Sequence, residues 1–176
     1  RQHNGRFVLR IEDTDQKREV PGAVEALIIA LQKMGLNYDE GPNLSNNSLK
    51  LAEREPGGPF LQSKRLELYQ QYASELLGRG KAYYCFCTQA RLAELRVLQE
   101  AQKQSPRYDG LCRNLTTTEV EAKLQHGLLK VIRLKVPNDG EVAFNDLVRG
   151  ALQFKTAEID DQILIKSDEF PTYHLA

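Results

Sequence analysis

Near the start of this chain, Phe7, Leu9 and Ile11 alternate with Val8, Arg10 and Glu12, the period-two pattern of a strand with one very apolar face. The strand runs straight into an acidic turn, Glu12-Asp13-Thr14-Asp15, and a helix follows. Val24, Leu27, Ile28, Leu31 and Met34 recur at helical spacing, Pro21 suits the first turn, and Gly35 suits the position past the end. A strand leading into helices in this order is half of an α/β unit. In open α/β sheets the carboxyl ends of the strands are where ligands bind, and here that end carries three carboxylates.

Residues 37–62, with their glycines, prolines and the polar run at 43–47, are expected to form a long irregular loop. A second helix is expected after Ser63, with Leu66, Tyr69, Ala73 and Leu76 on one face, ending near Gly78 to Gly80. The texture then changes. Tyr83-Tyr84-Cys85-Phe86-Cys87 is a short aromatic strand, and Thr88 can cap a polar helix carrying Leu92, Leu95 and Leu98. Thr118 and Glu121 are spaced for a capping box on a helix that stops at Gly127. Alternation from Leu129 to Val136 and turn residues 137–140 introduce strands at 141–148, 151–155 and 162–166. This half is expected to be α+β with an antiparallel sheet, and a domain boundary falls near residue 82.

Lysine plus arginine and aspartate plus glutamate each number 24 among 176 residues, so a protein that coats a polyanion through bulk charge is excluded. Residues 79–113 nevertheless hold seven basic residues (Arg79, Lys81, Arg91, Arg96, Lys103, Arg107, Arg113) against three acidic ones, a local excess of four. Such a block can grip a phosphate backbone, or simply be a solvated face. The longest wholly apolar run, from Ala26 to Leu31, is six residues, against the roughly 20 that span a bilayer. Three cysteines argue for a reducing compartment or a metal site rather than a disulfide framework. Both ends run through structured-looking sequence, so an interior piece of a longer chain is expected.

Two kinds of chemistry remain open. A carboxylate of the acidic turn, on the same strand face as Arg10 in the case of Glu12, can hold a substrate ammonium, whereas Asp13 or Asp15 can equally cap the next turn. Cys85, Cys87 and Cys112 can supply three of zinc's four ligands, or can be three small buried side chains. The position two after Cys112 is Asn114, a poor zinc ligand, while His126 and His174 qualify by residue type alone. Metal-triad, nucleophile-elbow and glycine-rich phosphate-loop patterns are absent.

Six blocks, in order, carry a resemblance: Gly5-Arg6-Phe7-Val8-Leu9-Arg10-Ile11-Glu12-Asp13-Thr14-Asp15; Val20-Pro21-Gly22-Ala23; Tyr38-Asp39-Glu40-Gly41-Pro42; Gln62-Ser63-x-Arg65-x-x-x-Tyr69; Pro106-Arg107-Tyr108-Asp109-Gly110; and the run from Leu164 through Lys166-Ser167-Asp168 and Phe170-Pro171-Thr172-Tyr173-His174 to Ala176. Together they resemble the glutamyl-tRNA synthetases of bacterial and organellar type, over nearly the whole chain. The resemblance implies an α/β fold, part of a class I Rossmann-type catalytic domain (1–82 and 166–176) interrupted by an inserted α+β domain that binds the tRNA acceptor end (83–165). It implies a monomeric ligase, with no membrane association, that joins L-glutamate to tRNA(Glu) using ATP with Mg2+.

The resemblance also implies roles. Glu12 binds the amino group of glutamate, and Tyr173 lines the same pocket. Asp15, Lys17, Arg18, Arg107 and Lys166 are candidates for tRNA contacts. Some relatives hold zinc through Cys-x-Cys and Cys-x-His, and Asn114 in place of the histidine counts against zinc at Cys85, Cys87 and Cys112. The family's ATP-contacting motifs and its anticodon region are expected outside this stretch, so the fragment alone is expected to be inactive. The same residues leave as alternatives a paralogue that glutamylates a modified base in tRNA and a non-catalytic RNA-binding module. The Cys-Arg-Asn triplet leans toward a mitochondrial matrix enzyme over a cytoplasmic one.

Overall fold

The computed structural model describes residues 4–45, 48–54 and 57–176; positions 46–47 and 55–56 of the expected long loop lie outside them. The chain divides into two compact units, Arg1–Tyr69 with Ala176, and Gln70–Leu175.

In the first unit the segment 7–11 is extended and pairs in parallel with two later stretches. Val8 bridges Glu40 and Ile11 bridges Leu61. Leu9 N–H donates to Glu40 O (2.8 Å), Ile11 N–H to Phe60 O (2.9 Å), and Gln62 N–H back to Ile11 O (3.0 Å). The expected strand is thus present as separate bridges, because its partner changes between Glu40 and Phe60. Helix α1 (Ala23–Lys33) opens at Gly22, whose φ of 79° suits glycine, so Pro21 stands before the helix rather than in its first turn. Its Ile28 is fully buried, while Leu27 and Met34 are exposed.

The expected loop at 37–62 contains a hairpin, β1 (Gly41–Ser45) and β2 (Ser48–Arg54), paired antiparallel. At Gly41, φ is 152° and an added Cβ would stand 2.8 Å from Leu9 O, so the strand approaches the 7–11 segment as only glycine allows. A 3-10 turn, Gln62–Arg65, leads into α2 (Leu66–Gly78), close to the expected helix.

The second unit is built on an antiparallel sheet of β3 (Ala82–Cys85), β4 (Val131–Leu134) and β7 (Ile163–Ile165), with β4 central. Ala82 faces Leu134 and Cys85 faces Val131, which puts Cys85 at the end of its strand. Helix α3 (Gln89–Ala101) is capped as expected, the Thr88 side chain accepting from Arg91 N–H at 3.2 Å. Helix α4 (Thr117–Gln125) has its capping box at Thr116 and Glu119, two residues before the expected pair, because Thr116 is the residue that keeps extended backbone. Strands β5 (Glu141–Asp146) and β6 (Gly150–Lys155) form a separate hairpin in which most residues are exposed. No described helix is long and apolar enough to cross a membrane.

Candidate functional site

The acidic turn is anchored at both sides of Glu12. Ile11 is bonded through its backbone to Phe60 and Gln62. Asp13 accepts from Ser63 N–H at 2.8 Å and from Ser63 Oγ at 2.5 Å. Asp15 accepts from Lys17 N–H (3.2 Å) and Arg18 Nε (2.6 Å), so it caps the following turn. Lys17 and Arg18 are exposed. The Glu12 side chain is 62% exposed and meets the Arg10 guanidinium at 3.4 Å, a pair open to solvent and therefore weak. Of the three carboxylates, Asp15 caps its own turn and Asp13 accepts from Ser63 fifty residues on, while Glu12 is presented outward on a fixed backbone.

Tyr173 belongs to the second unit, is 72% exposed, and lies against His174 with ring centroids 4.0 Å apart and the rings tilted by 37°. The residues before it are tied to β7: Thr172 N–H donates to Leu164 O (2.8 Å), Thr172 Oγ1 to Ile163 O (2.5 Å), and Pro171 is fully buried. Lys166 pairs with Asp168 at 2.9 Å and lies over the Phe170 ring. A cleft of about 270 Å³ beside Lys166 is lined by Gln70, Leu129, Lys130 and Ser167 among others.

The basic block separates into structural and outward-facing members. Arg113 reaches Asp161 at 2.6 Å with both side chains largely buried, and Arg91 pairs with Asp109. Arg107, although exposed, donates to Ala157 O at 3.0 Å. Arg79 pairs with Glu75 on the surface, while Lys81, Arg96 and Lys103 are exposed.

The three cysteines come together as their spacing allows: their sulfur atoms all lie within 4.8 Å of one another. Asn114 is exposed, and His126, also exposed, bonds Ala122 O at the end of α4. Neither joins the group. Tyr108 does. Its hydroxyl lies 3.4 Å from Cys85 Sγ and 3.5 Å from Cys87 Sγ and accepts from Cys112 N–H at 2.9 Å, while Cys87 and Cys112 Sγ stand 3.7 Å apart. Zinc bound tetrahedrally, at about 2.3 Å to sulfur and about 2.0 Å to oxygen, sets its donors roughly 3.5–3.8 Å apart. The separations of 3.4, 3.5 and 3.7 Å lie close to that figure, and the remaining sulfur pairs lie within 4.8 Å. Spacing alone does not single out Tyr108, because the pattern of the first cysteine pair points to the position after Cys112 rather than to one four residues before it.

Burial pushes the Cys87 thiol up, to about 11, with the neighbouring sulfurs adding to the effect. Burial also raises Cys85, but hydrogen bonding to Tyr108 and the Cys87 backbone, with the Arg133 guanidinium nearby, outweighs it and holds that thiol below its ordinary value. Burial and the two thiols raise the Tyr108 hydroxyl.

These features define a class of protein. The family model described as "tRNA synthetases class I (E and Q), catalytic domain" matches residues 1–176, and the chain belongs to that family. It is 48% identical over 98% of its length to a glutamate–tRNA ligase of Clostridioides difficile and 46% identical over 100% to one of Finegoldia magna, covering 35% and 36% of those proteins. A crystal structure of a glutamate tRNA ligase from Elizabethkingia meningosepticum, in complex with its amino acid, superposes with a TM-score of 0.82 at 35% identity, over 97% of this chain and 34% of that one. The chain thus spans about a third of the length of these relatives, and its fold is the α/β fold of class I catalytic domains.

Proposed function

We propose that this chain is part of a glutamate–tRNA ligase, which activates L-glutamate with ATP and Mg2+ and transfers it to tRNA(Glu). The observation that carries the reading is 48% identity to such a ligase along 98% of the chain. Attack of a carboxylate on the α-phosphate of ATP demands alignment and charge neutralisation rather than a protein nucleophile. This chain's contribution is alignment. Glu12 accepts the substrate ammonium, displacing the weak Arg10 contact, and Tyr173 is proposed as a further contact to the amino acid. Asp15, Lys17, Arg18, Arg107 and Lys166 are proposed contacts of the tRNA, Asp15 also holding the turn of Lys17 and Arg18.

In the full-length protein, Glu12→Gln removes the ammonium's charged partner. The KM for glutamate in tRNA charging should rise about tenfold or more, with the KM for ATP unchanged. Equal changes for both substrates, or none, would reject the role of Glu12.

Cys85, Cys87, Cys112 and Tyr108 would hold zinc, which supplies a structural cross-link between β3 and the loop before α4. The full-length protein should then carry zinc equimolar with the chain, and Tyr108→Phe should lose it to a chelator about tenfold more readily. Background metal content in the unmodified protein would rule this out.

A further inference from the structure

We propose that Asp13 is a positioning residue for the substrate ammonium: it caps a helical segment from fifty residues away and so fixes the backbone that carries Glu12. The inference rests on the reading of Glu12 given above and deepens it.

The helical segment that begins at Gln62 and continues through α2 has a cap problem. Its first N–H groups lack partners within the helix, and the residue at the cap position is Leu61, which has no side-chain acceptor. The missing acceptor comes from the acidic turn. Asp13 takes Ser63 N–H on one carboxylate oxygen at 2.8 Å and Ser63 Oγ–H on the other at 2.5 Å, across a sequence separation of 50. A carboxylate at this end of a helix is also favoured by the helix dipole.

The consequence falls on Glu12. Residue 11 is held to Phe60 and Gln62 by two backbone bonds of 2.9 and 3.0 Å, and residue 13 is held to Ser63 by two side-chain bonds. Glu12 lies between two anchored neighbours and takes part in neither set. Its carboxylate is left facing solvent, with Arg10 at 3.4 Å. The anchors fix the backbone on both sides of Glu12, and with it the point from which its side chain reaches. Asp13 therefore acts through Glu12. Each of its oxygens already accepts one bond from Ser63, so its part is to hold the backbone.

Asparagine separates geometry from charge. In Asp13→Asn the amide oxygen can still accept from Ser63 N–H and the amide nitrogen can donate to Ser63 Oγ, while the charge is gone. Steady-state tRNA charging by the full-length protein should show the KM for glutamate raised about tenfold in Asp13→Ala, with a much smaller change in kcat, and largely restored in Asp13→Asn. Ser63→Ala, which keeps the backbone donor, should fall between them, and should add little when combined with Asp13→Ala. Amide hydrogen exchange at Ser63 should quicken in Asp13→Ala and not in Asp13→Asn.

An Asp13→Asn variant as impaired as Asp13→Ala would make the role one of charge and overturn the proposal, as would unchanged exchange at Ser63 in Asp13→Ala. Should Asp13→Ala fail to fold, Ser63→Ala is judged against the unmodified protein: a raised KM for glutamate supports the proposal and an unchanged KM overturns it. Glu12→Gln is measured beside them. If it raises the KM and Asp13→Ala does not, the positioning role alone fails; if it leaves the KM unchanged, the reading of Glu12 fails and the positioning role falls with it.

Discussion

Asp161 shows how one residue can organise the second unit. Its carboxylate accepts from the Tyr83 hydroxyl at 2.7 Å, from Arg113 at 2.6 and 2.7 Å, and from Val136 N–H at 2.9 Å, while its backbone oxygen accepts from Arg133 at 2.7 Å. Burial alone would raise its pKa, but the Arg113 charge and the Tyr83 and Val136 donors outweigh it and hold the carboxyl below its usual value. Tyr83, buried against it, is pushed up. A depressed carboxylate stabilises the fold above the unfolded value of about 3.9, and that contribution disappears as pH falls through the lower folded value. Removing one member of a buried pair strands the other, so Asp161→Ala should cost about 3–5 kcal/mol in urea unfolding at pH 7. As pH falls below about 3.9 and then through the lower folded value, the difference between variant and parent should shrink. A difference that persists undiminished in acid would show that the charge is not the cause.

The same scale explains what the sequence could reveal of the site. The three cysteines were legible as a group from residue type and spacing, and Glu12 as a carboxylate at a strand's end, its role following from the resemblance rather than from spacing. Tyr108 was not: one of seven tyrosines, it stands beside the cysteines where Gln99 holds the Arg107 backbone at 2.9 and 3.0 Å and Asp160 holds Tyr108 N–H at 3.2 Å. Asp13 was legible as a cap but not for its target, since Ser63 is distant in sequence.

Among the elements, the helices followed from local signals. Periodic apolar residues and Thr88 placed α3, and α4 differed only in which threonine caps it. The β1–β2 hairpin was hidden. Gly-Pro-Asn-Leu-Ser shows no alternation, and its strand character comes from pairing with β2, Gly41 opposite Arg54. At α4 the local account is testable. The Thr116 side chain accepts from Glu119 N–H at 3.3 Å, and Glu119 returns bonds of 2.8 Å to the Thr116 N–H and hydroxyl. These bonds lower the pKa of Glu119. Thr116→Ala should destabilise the second unit by about 1 kcal/mol, read as a lower urea midpoint, whereas Thr118→Ala should leave it within about 0.5 kcal/mol.

For the whole molecule, a net charge of zero requires any grip on tRNA to be local. The count of seven basic residues between 79 and 113 overstates what is available, because Arg113 is buried on Asp161 and Arg91 is paired with Asp109. Reversing either would disturb the fold as well as the surface. Lys81, Arg96 and Lys103 are exposed and give the cleaner experiment. If these three meet phosphates, changing all three to Glu in the full-length protein should weaken tRNA binding at low salt by at least about tenfold. It should also lower the slope of log affinity against log salt by about 2, since each lost phosphate contact removes roughly 0.7–0.9 from that slope. Thermal unfolding should barely move, as exposed charges contribute little to stability. An unchanged slope would place the acceptor arm elsewhere on the surface. A changed slope with an unchanged KM for glutamate would show that the grip on tRNA and the seating of the amino acid are carried by different residues of this chain.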